Sequence, residues 1–206
     1  SNVSPSISLS YFPREGLMYY ASFSQGFKSG GFNQIRTAAG VPGEFDEERS
    51  RNYEMGWKGS WLNRRLQVNA TLFFVDYDDF QAQGFDGANI TVRNAGSLES
   101  KGIEFDLVYL PNALVTLGTA IGYNDATYSD FTTGECTTKQ LFAITGGSPF
   151  VLPECVQDLT GRELDNAPEL TVSSFVQLED QFGDTGMNWY ARLEHNYIDE
   201  LYMAQD

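Results

Sequence analysis

Residues 65–80, RLQVNATLFFVDYDDF, alternate in polarity: Leu66, Val68, Ala70, Leu72 and Phe74 fall on one side of an extended chain, and Gln67, Asn69 and Thr71 on the other. A period of two is the signature of a β-strand with one apolar and one wet face, because successive side chains point to opposite sides of a pleated backbone. The preceding segment, NYEMGWKGSW at 52–61, reads as a second strand, and LNRR between them is short enough for a tight reversal. The smallest unit of this chain is therefore a long, two-faced antiparallel ribbon.

The pattern recurs. Strands are expected at about 6–12, 17–26, 52–61, 65–80, 94–110, 113–128, 169–181 and 187–203. Val115, Leu117, Ile121 and Tyr123 oppose Thr116, Gly118, Ala120, Gly122 and Asn124; Ile103, Phe105, Leu107 and Tyr109 oppose Glu104 and Asp106. Leu170, Val172, Val176 and Leu178 oppose Thr171, Ser173, Gln177 and Glu179, and Trp189, Ala191 and Leu193 oppose Tyr190, Arg192, Glu194 and Asn196. The links FPREG, LNRR, LPNA and QFGDTG are short turns rich in Pro, Asn, Asp and Gly, residues suited to sharp reversal. They alternate with long connections at about 27–51, 81–93 and 129–168. Outer-membrane barrels connect strands in this way, with short periplasmic turns and long extracellular loops, whereas a soluble sandwich mixes loop lengths at both ends.

No stretch approaches the 18 or so consecutive apolar residues of a membrane-crossing helix. A barrel strand needs only about 9–11 residues with alternate apolar side chains, so the mean hydropathy of -0.33 is compatible with one. Aromatic residues make up 14% of the chain and gather at strand ends: Trp57, Trp61, Tyr109 and Trp189 toward the turns, and Tyr77, Tyr123, Tyr128, Tyr197 and Tyr202 toward the loops. Two interfacial girdles have this form. Parity alone leaves open whether the apolar face looks outward to lipid or inward to a core. A small closed eight-stranded outer-membrane barrel and a soluble β-sandwich binding module therefore stand as alternatives.

The formal charge of -15 argues against a nucleic-acid partner, since phosphate binding needs clustered Lys and Arg. Both cysteines, Cys136 and Cys155, lie in one polar segment with no His or third Cys nearby to complete a metal site. A disulfide in an oxidising compartment is the expectation, worth roughly 3 kcal/mol by loop closure. The first residues, SNVSPSISLSYFPREG, show no basic region followed by an apolar one, so no signal peptide is read there.

The run YYASFSQGFKSGGFN (19–33), then NYEMGWKGSW (52–61), RLQVNATLFFVDYDDFQ (65–81) and NAGSLESKGIEFDLVYLP (94–111) resembles, in order and spacing, the C-terminal half of the barrel of a TonB-dependent outer-membrane receptor. The resemblance covers most of the chain. It implies an all-β fold in which residues 1–206 form about eight antiparallel strands of a larger transmembrane barrel wall of about 22 strands. It also implies a location in the bacterial outer membrane, and TonB-coupled uptake of a scarce nutrient such as a ferric siderophore, cobalamin or a glycan. The implied partners are that ligand, the TonB–ExbB–ExbD complex acting through a plug region, outer-membrane lipid and lipopolysaccharide. The plug, the TonB box and the closing C-terminal strand with its terminal aromatic are not recognised in the chain, so an internal part of the barrel is the expectation.

No catalytic constellation is evident, and no cofactor is expected: His195 is the only histidine, and nucleophilic triads lack a base. Lys28 and Asn33, in the glycine-rich GFKSGGFN, are candidates to face a ligand or the plug. In EFDEERSR (44–51), Arg49 and Arg51 are candidates to reach into the lumen toward an anionic chelate. Asp76, Asp78, Asp79 and Asp86 read as solvated loop tops rather than a metal site, since they lack the spaced glycine and terminal glutamate of a calcium loop. Gly96 and Gly102 are expected to permit a bulge or twist. The sequons at Asn69 and Asn89 are read as chance, the first being mid-strand.

Overall fold

A computed structural model describes residues 3–33, 43–85, 90–146 and 155–202. In chain order its elements are β1 (Ser6–Arg14), β2 (Leu17–Lys28), β3 (Gly31–Phe32), β4 (Glu44–Phe45), β5 (Glu48–Trp61), β6 (Leu66–Asp78), β7 (Gln81–Phe85), β8 (Ile90–Asn94), β9 (Ser97–Tyr109), β10 (Val115–Asp130), β11 (Gly134–Glu135), α1 (Thr138–Thr145), β12 (Val156–Gln157), β13 (Leu170–Gln181) and β14 (Asn188–Ile198). Eight of these form one antiparallel sheet in the order β1-β2-β5-β6-β9-β10-β13-β14, each strand beside its neighbour in the meander. These are the eight strands that the alternation marks out. The long connections hold more order than their composition implies: β3 pairs with β4, β7 with β8 and β11 with β12.

Register carries each residue's facing across the whole sheet. One row runs Tyr19, Trp57, Ala70, Phe105, Ile121, Val172, Tyr197, and the rows beside it bring Met55, Leu72 and Ile103, then Val68 and Leu107, to the same side. The opposite side carries Lys58, Asn69, Asp106, Ala120, Ser173 and Asn196 in a single row. The apolar side is bare: Met55, Leu72, Ile103, Val176 and Leu193 are all exposed. A soluble sandwich needs a second sheet on that face, and among the described residues there is none. Such a surface is stable only against lipid, so the apolar face is the outer one and the polar face lines the lumen.

The apolar band shifts as it crosses the sheet. The row ending in Leu17 meets the first turn, the row with Trp61 and Leu66 the second, the row with Val115 and Leu178 the third, and Asp180 beside Trp189 the fourth. Each hairpin thus descends one row, which is two residues for two strands. With about 3.3 Å per residue and about 4.8 Å between strands, one residue of stagger per strand tilts the strands by about 35° from the barrel axis. Transmembrane barrels have tilts of this size. β1 and β14 form the sheet's two edges and do not pair with each other, so the eight strands do not close into a small barrel.

The turns use unequal chemistry. Leu62, Asn63 and Arg64 all have positive φ, near 54°, 56° and 68°, a left-handed run that Leu and Arg do not announce in sequence. Gly16 at 75° and Gly186 at 73° are the ordinary solution. In LPNA, the Asn112 carboxamide oxygen accepts hydrogen bonds from the amides of Leu114 and Val115, an Asx-type reversal.

Candidate functional site

The loop-side end of the polar face is where chemistry can gather, and it also holds the buried core among the described residues. Tyr77, Leu98 and Tyr128 share one lumen-facing row. Over them fold Phe80, Ala82 and Ala95 from the β7–β8 hairpin, and Phe131, Leu159 and Leu164 from the connection that follows β10. Phe131, Leu98 and Leu159 are each about 1% exposed. The rings of Tyr77, Phe80, Tyr128 and Phe131 step across this core with centroids 5.7, 6.2 and 5.0 Å apart, spacings at which tilted aromatic pairs attract.

Polar clamps bind the loop hairpins to one another. The Asn33 side chain donates to the Val92 carbonyl at 2.8 Å and accepts from the Val92 amide at 2.9 Å, completing the backbone bonding of β8. The Asn94 carboxamide accepts from the Asp46 amide and donates to the carbonyls of Asp46 and Asp79. Buried Gln81 donates from its side chain to the carbonyls of Ser29 and Asp46, and its amide donates to the Glu48 carboxylate. Arg93, also buried, donates to the Thr133 carbonyl and so ties β8 to the next loop. In that loop the Thr160 hydroxyl accepts from the Phe131 amide, while Thr160 also donates to Asp158 and holds its carboxyl below the usual range. Cys136 and Cys155 are joined in a disulfide, with Cα atoms 5.6 Å apart, beside α1, which Thr137 and Gln140 cap reciprocally.

The four candidate residues separate. Lys28 ends β2 on the lumen side, exposed at the mouth and opposite Glu48. Asn33 is half-buried and engaged with β8, so its role here is to seat one loop on another. Arg49 and Arg51 do not point into the lumen: register places them on the face of Tyr53, Met55 and Trp57, because residues an even number apart on a strand share a side. Arg51 sits between Asp76 at 2.8 Å and Asp78 at 2.5 Å, and Arg49 pairs with Glu47. One row below Arg51 and Asp76 runs the aromatic row Phe23, Tyr53, Phe74, whose rings lie 5.0 and 6.3 Å apart, and Lys101 and Asp125, 3.2 Å from each other, continue that same row across β9 and β10. Charged and aromatic side chains meet in this way where a protein surface passes from lipid tails to headgroups. A cleft of about 790 Å³ opens beside them between Asp46, Arg49, Asp79 and Gly96. Asp86 and Asn89 lie outside the described residues.

Lower on the polar face a groove of about 520 Å³ runs along Ala120 and Gly122, walled by Glu104 and Asp106 on one side and Thr171, Ser173 and Asn196 on the other. Small side chains here keep the lumen surface open. His195 lies on the outer face beside Ser174, whose hydroxyl bonds to that of Thr119 at 2.8 Å. Among the described residues no group of three or more His, Cys, Asp or Glu side chains is placed to hold a metal ion.

A family model described as TonB dependent receptor-like, beta-barrel matches residues 1–205. The ferric-pyoverdine 358 receptor of Pseudomonas putida is 32% identical over 108 residues, which cover 46% of this chain and 13% of that receptor. Among solved structures, the ferric yersiniabactin uptake receptor FyuA from Yersinia pestis superposes with a TM-score of 0.66 at 18% identity, over 97% of this chain and 26% of that one. BauA, the ferric preacinetobactin receptor from Acinetobacter baumannii, gives 0.63 at 14% identity, over 98% and 26%. The chain therefore spans about a quarter or less of the length of these proteins.

Proposed function

This chain belongs to the TonB-dependent receptor β-barrel family, a family of outer-membrane transport receptors, and on that premise we propose that its eight strands are a stretch of the wall of a receptor that imports a ferric siderophore. The observation that carries this reading is the single-layer sheet with a bare apolar face outside and a polar face within, crowned by interlocked loops. A wall of this kind encloses a wide aqueous passage only when more strands join β1 and β14, whose edges are open. Energy then comes from TonB and its inner-membrane partners, acting on a plug inside the completed barrel. The cargo class rests on the relatives, one of which is named for ferric pyoverdine.

Within this reading the crown is the capture surface and the small-residue groove is part of the path. Lys28 faces the mouth and is the basic candidate for an anionic ferric chelate; Arg49 and Arg51, turned outward and paired with acids, hold the rim at the headgroup level. The test is uptake of radiolabelled iron from ferric siderophores by iron-starved cells with and without the receptor gene. Loss of uptake of at least one ferric siderophore on deletion is the expected result. Undiminished uptake across pyoverdine-, catecholate- and hydroxamate-type chelates would remove siderophore transport from consideration. With a transported chelate identified, Lys28→Glu is expected to weaken its binding without changing the amount of receptor in the membrane.

A further inference from the structure

The apolar face forbids a strand from slipping by one residue, since every side chain would then change sides. A slip of two residues leaves the alternation intact, and hydropathy does not oppose it. In a tight hairpin the turn prevents such a slip. Three neighbouring pairs have no such turn: β2 with β5, β6 with β9, and β10 with β13, each joined through a long loop.

Each of these three interfaces carries one aromatic residue directly opposite a glycine on the lumen face: Tyr20 opposite Gly56, Phe73 opposite Gly102, and Phe175 opposite Gly118. In every case the ring lies down over the glycine. A Cβ added at Gly56 would stand 2.9 Å from the Tyr20 ring and one at Gly102 2.6 Å from the Phe73 ring, and one at Gly118 would press closer still into the Phe175 ring. Real Cβ atoms do not approach that closely; at Gly56 and Gly102 the Cβ would also strike a neighbouring backbone oxygen, that of Ala70 and of Tyr123, and the ring fills the space that glycine leaves. Polar contacts fasten two of the three: the Tyr20 hydroxyl bonds to Thr71 at 2.7 Å, and Arg192 stacks 3.7 Å above the Phe175 ring. At the tight hairpins the residues opposite these strands' glycines are Val68, Thr71, Glu104, Val108 and Asn124, none of them aromatic. Gly102 does not mark a bulge, as its spacing in sequence implies; pairing continues unbroken through it on both sides.

We propose that the three aromatic–glycine pairs are register locks, placed at the strand interfaces that no turn can align. A two-residue slip would set Tyr20 against Glu54 or Lys58, Phe73 against Ser100 or Glu104, and Phe175 against Thr116 or Ala120, each with a Cβ where the ring must lie. On the lumen face small side chains such as Ala120 and Gly122 leave room for a ring to lie flat across the strand interface; on the outer face the ring over a glycine is that of Trp61 over Gly59, within one strand, where it ties no neighbour.

The test is made in the intact receptor assembled in the outer membrane, with paired cysteines reporting register. N69C/D106C reports the native pairing of β6 with β9, and N69C/E104C and N69C/V108C report the two slipped pairings. Native Phe73 and Gly102 are expected to give the first cross-link alone. Phe73→Ala, which adds no clash, is expected to raise the slipped cross-links by about tenfold or more over background. Phe73→Tyr, which keeps a ring opposite Gly102, is expected to retain the native pattern. Unchanged cross-links in Phe73→Ala, or slipped cross-links in Phe73→Tyr, would overturn the proposal.

Discussion

The wall and the crown are made from the same chain yet are stabilised by different solvents. In the wall, eight strands form one layer whose apolar residues remain exposed, Leu193 and Ile7 being 75% and 70% accessible. In the crown, loop segments rich in polar residues bury Phe131, Leu98 and Leu159 almost completely. The crown folds as a water-soluble protein does, by hiding apolar surface from water. The wall depends on lipid to cover one face and on neighbouring strands to satisfy its edges. Stability and assembly should therefore respond to substitution by different rules in the two regions.

The largest separation is expected from Phe131→Ala. Removing a fully buried ring should cost the crown about 3–5 kcal/mol, visible as faster hydrogen exchange in β7, β8, β11 and β12 with β5 and β6 unchanged. If exchange rises equally in both regions, crown and wall are one cooperative unit and the contrast fails. On the wall, Leu72→Arg faces lipid and should destabilise the folded barrel by about 2–4 kcal/mol in urea titrations in bilayers, while Gln67→Arg, on the lumen side of the same strand, should change little. Equal effects would mean the faces are assigned wrongly.

Replacing Cys136 and Cys155 with Ser should cost the third loop roughly 3 kcal/mol at most and make it sensitive to protease between β10 and β13, without altering the heat-modifiable migration of the barrel. The smallest effect is expected at Arg51. Its pairs with Asp76 and Asp78 are partly exposed, so Arg51→Ala should cost about 1 kcal/mol or less, and less still in high salt. A large loss there would show that the outward band is structural rather than a solvated rim.

Much of the wall is legible in the sequence. Alternation at Leu66–Phe74 and its recurrence located all eight strands, because period two is a local property that each strand states for itself. The inner order of the loops was not legible. β7 and β8 carry no strong alternation, and β11 and β12 are two residues each, held by partners distant in sequence rather than by propensity. The candidate residues fared unevenly for the same reason. In sequence Asn33 reads as a candidate to face a ligand or the plug, because its partner, the Val92 backbone, lies 59 positions away. For Arg49 and Arg51, counting parity back from Trp57 already places them outward once β5 is known to extend to Glu48; the charged run read as loop hid that continuity.

The sequence by itself determined that this chain makes long two-faced strands, that short and long connections alternate, and that one face is apolar, because all three are written in nearest-neighbour patterns. Tertiary structure alone decided the stagger of one residue per strand, the burial of Phe131 and Leu98 beneath the loops, and the placing of each ring over its glycine. Those depend on which residues stand side by side across strands far apart in the chain, and no local period encodes that adjacency.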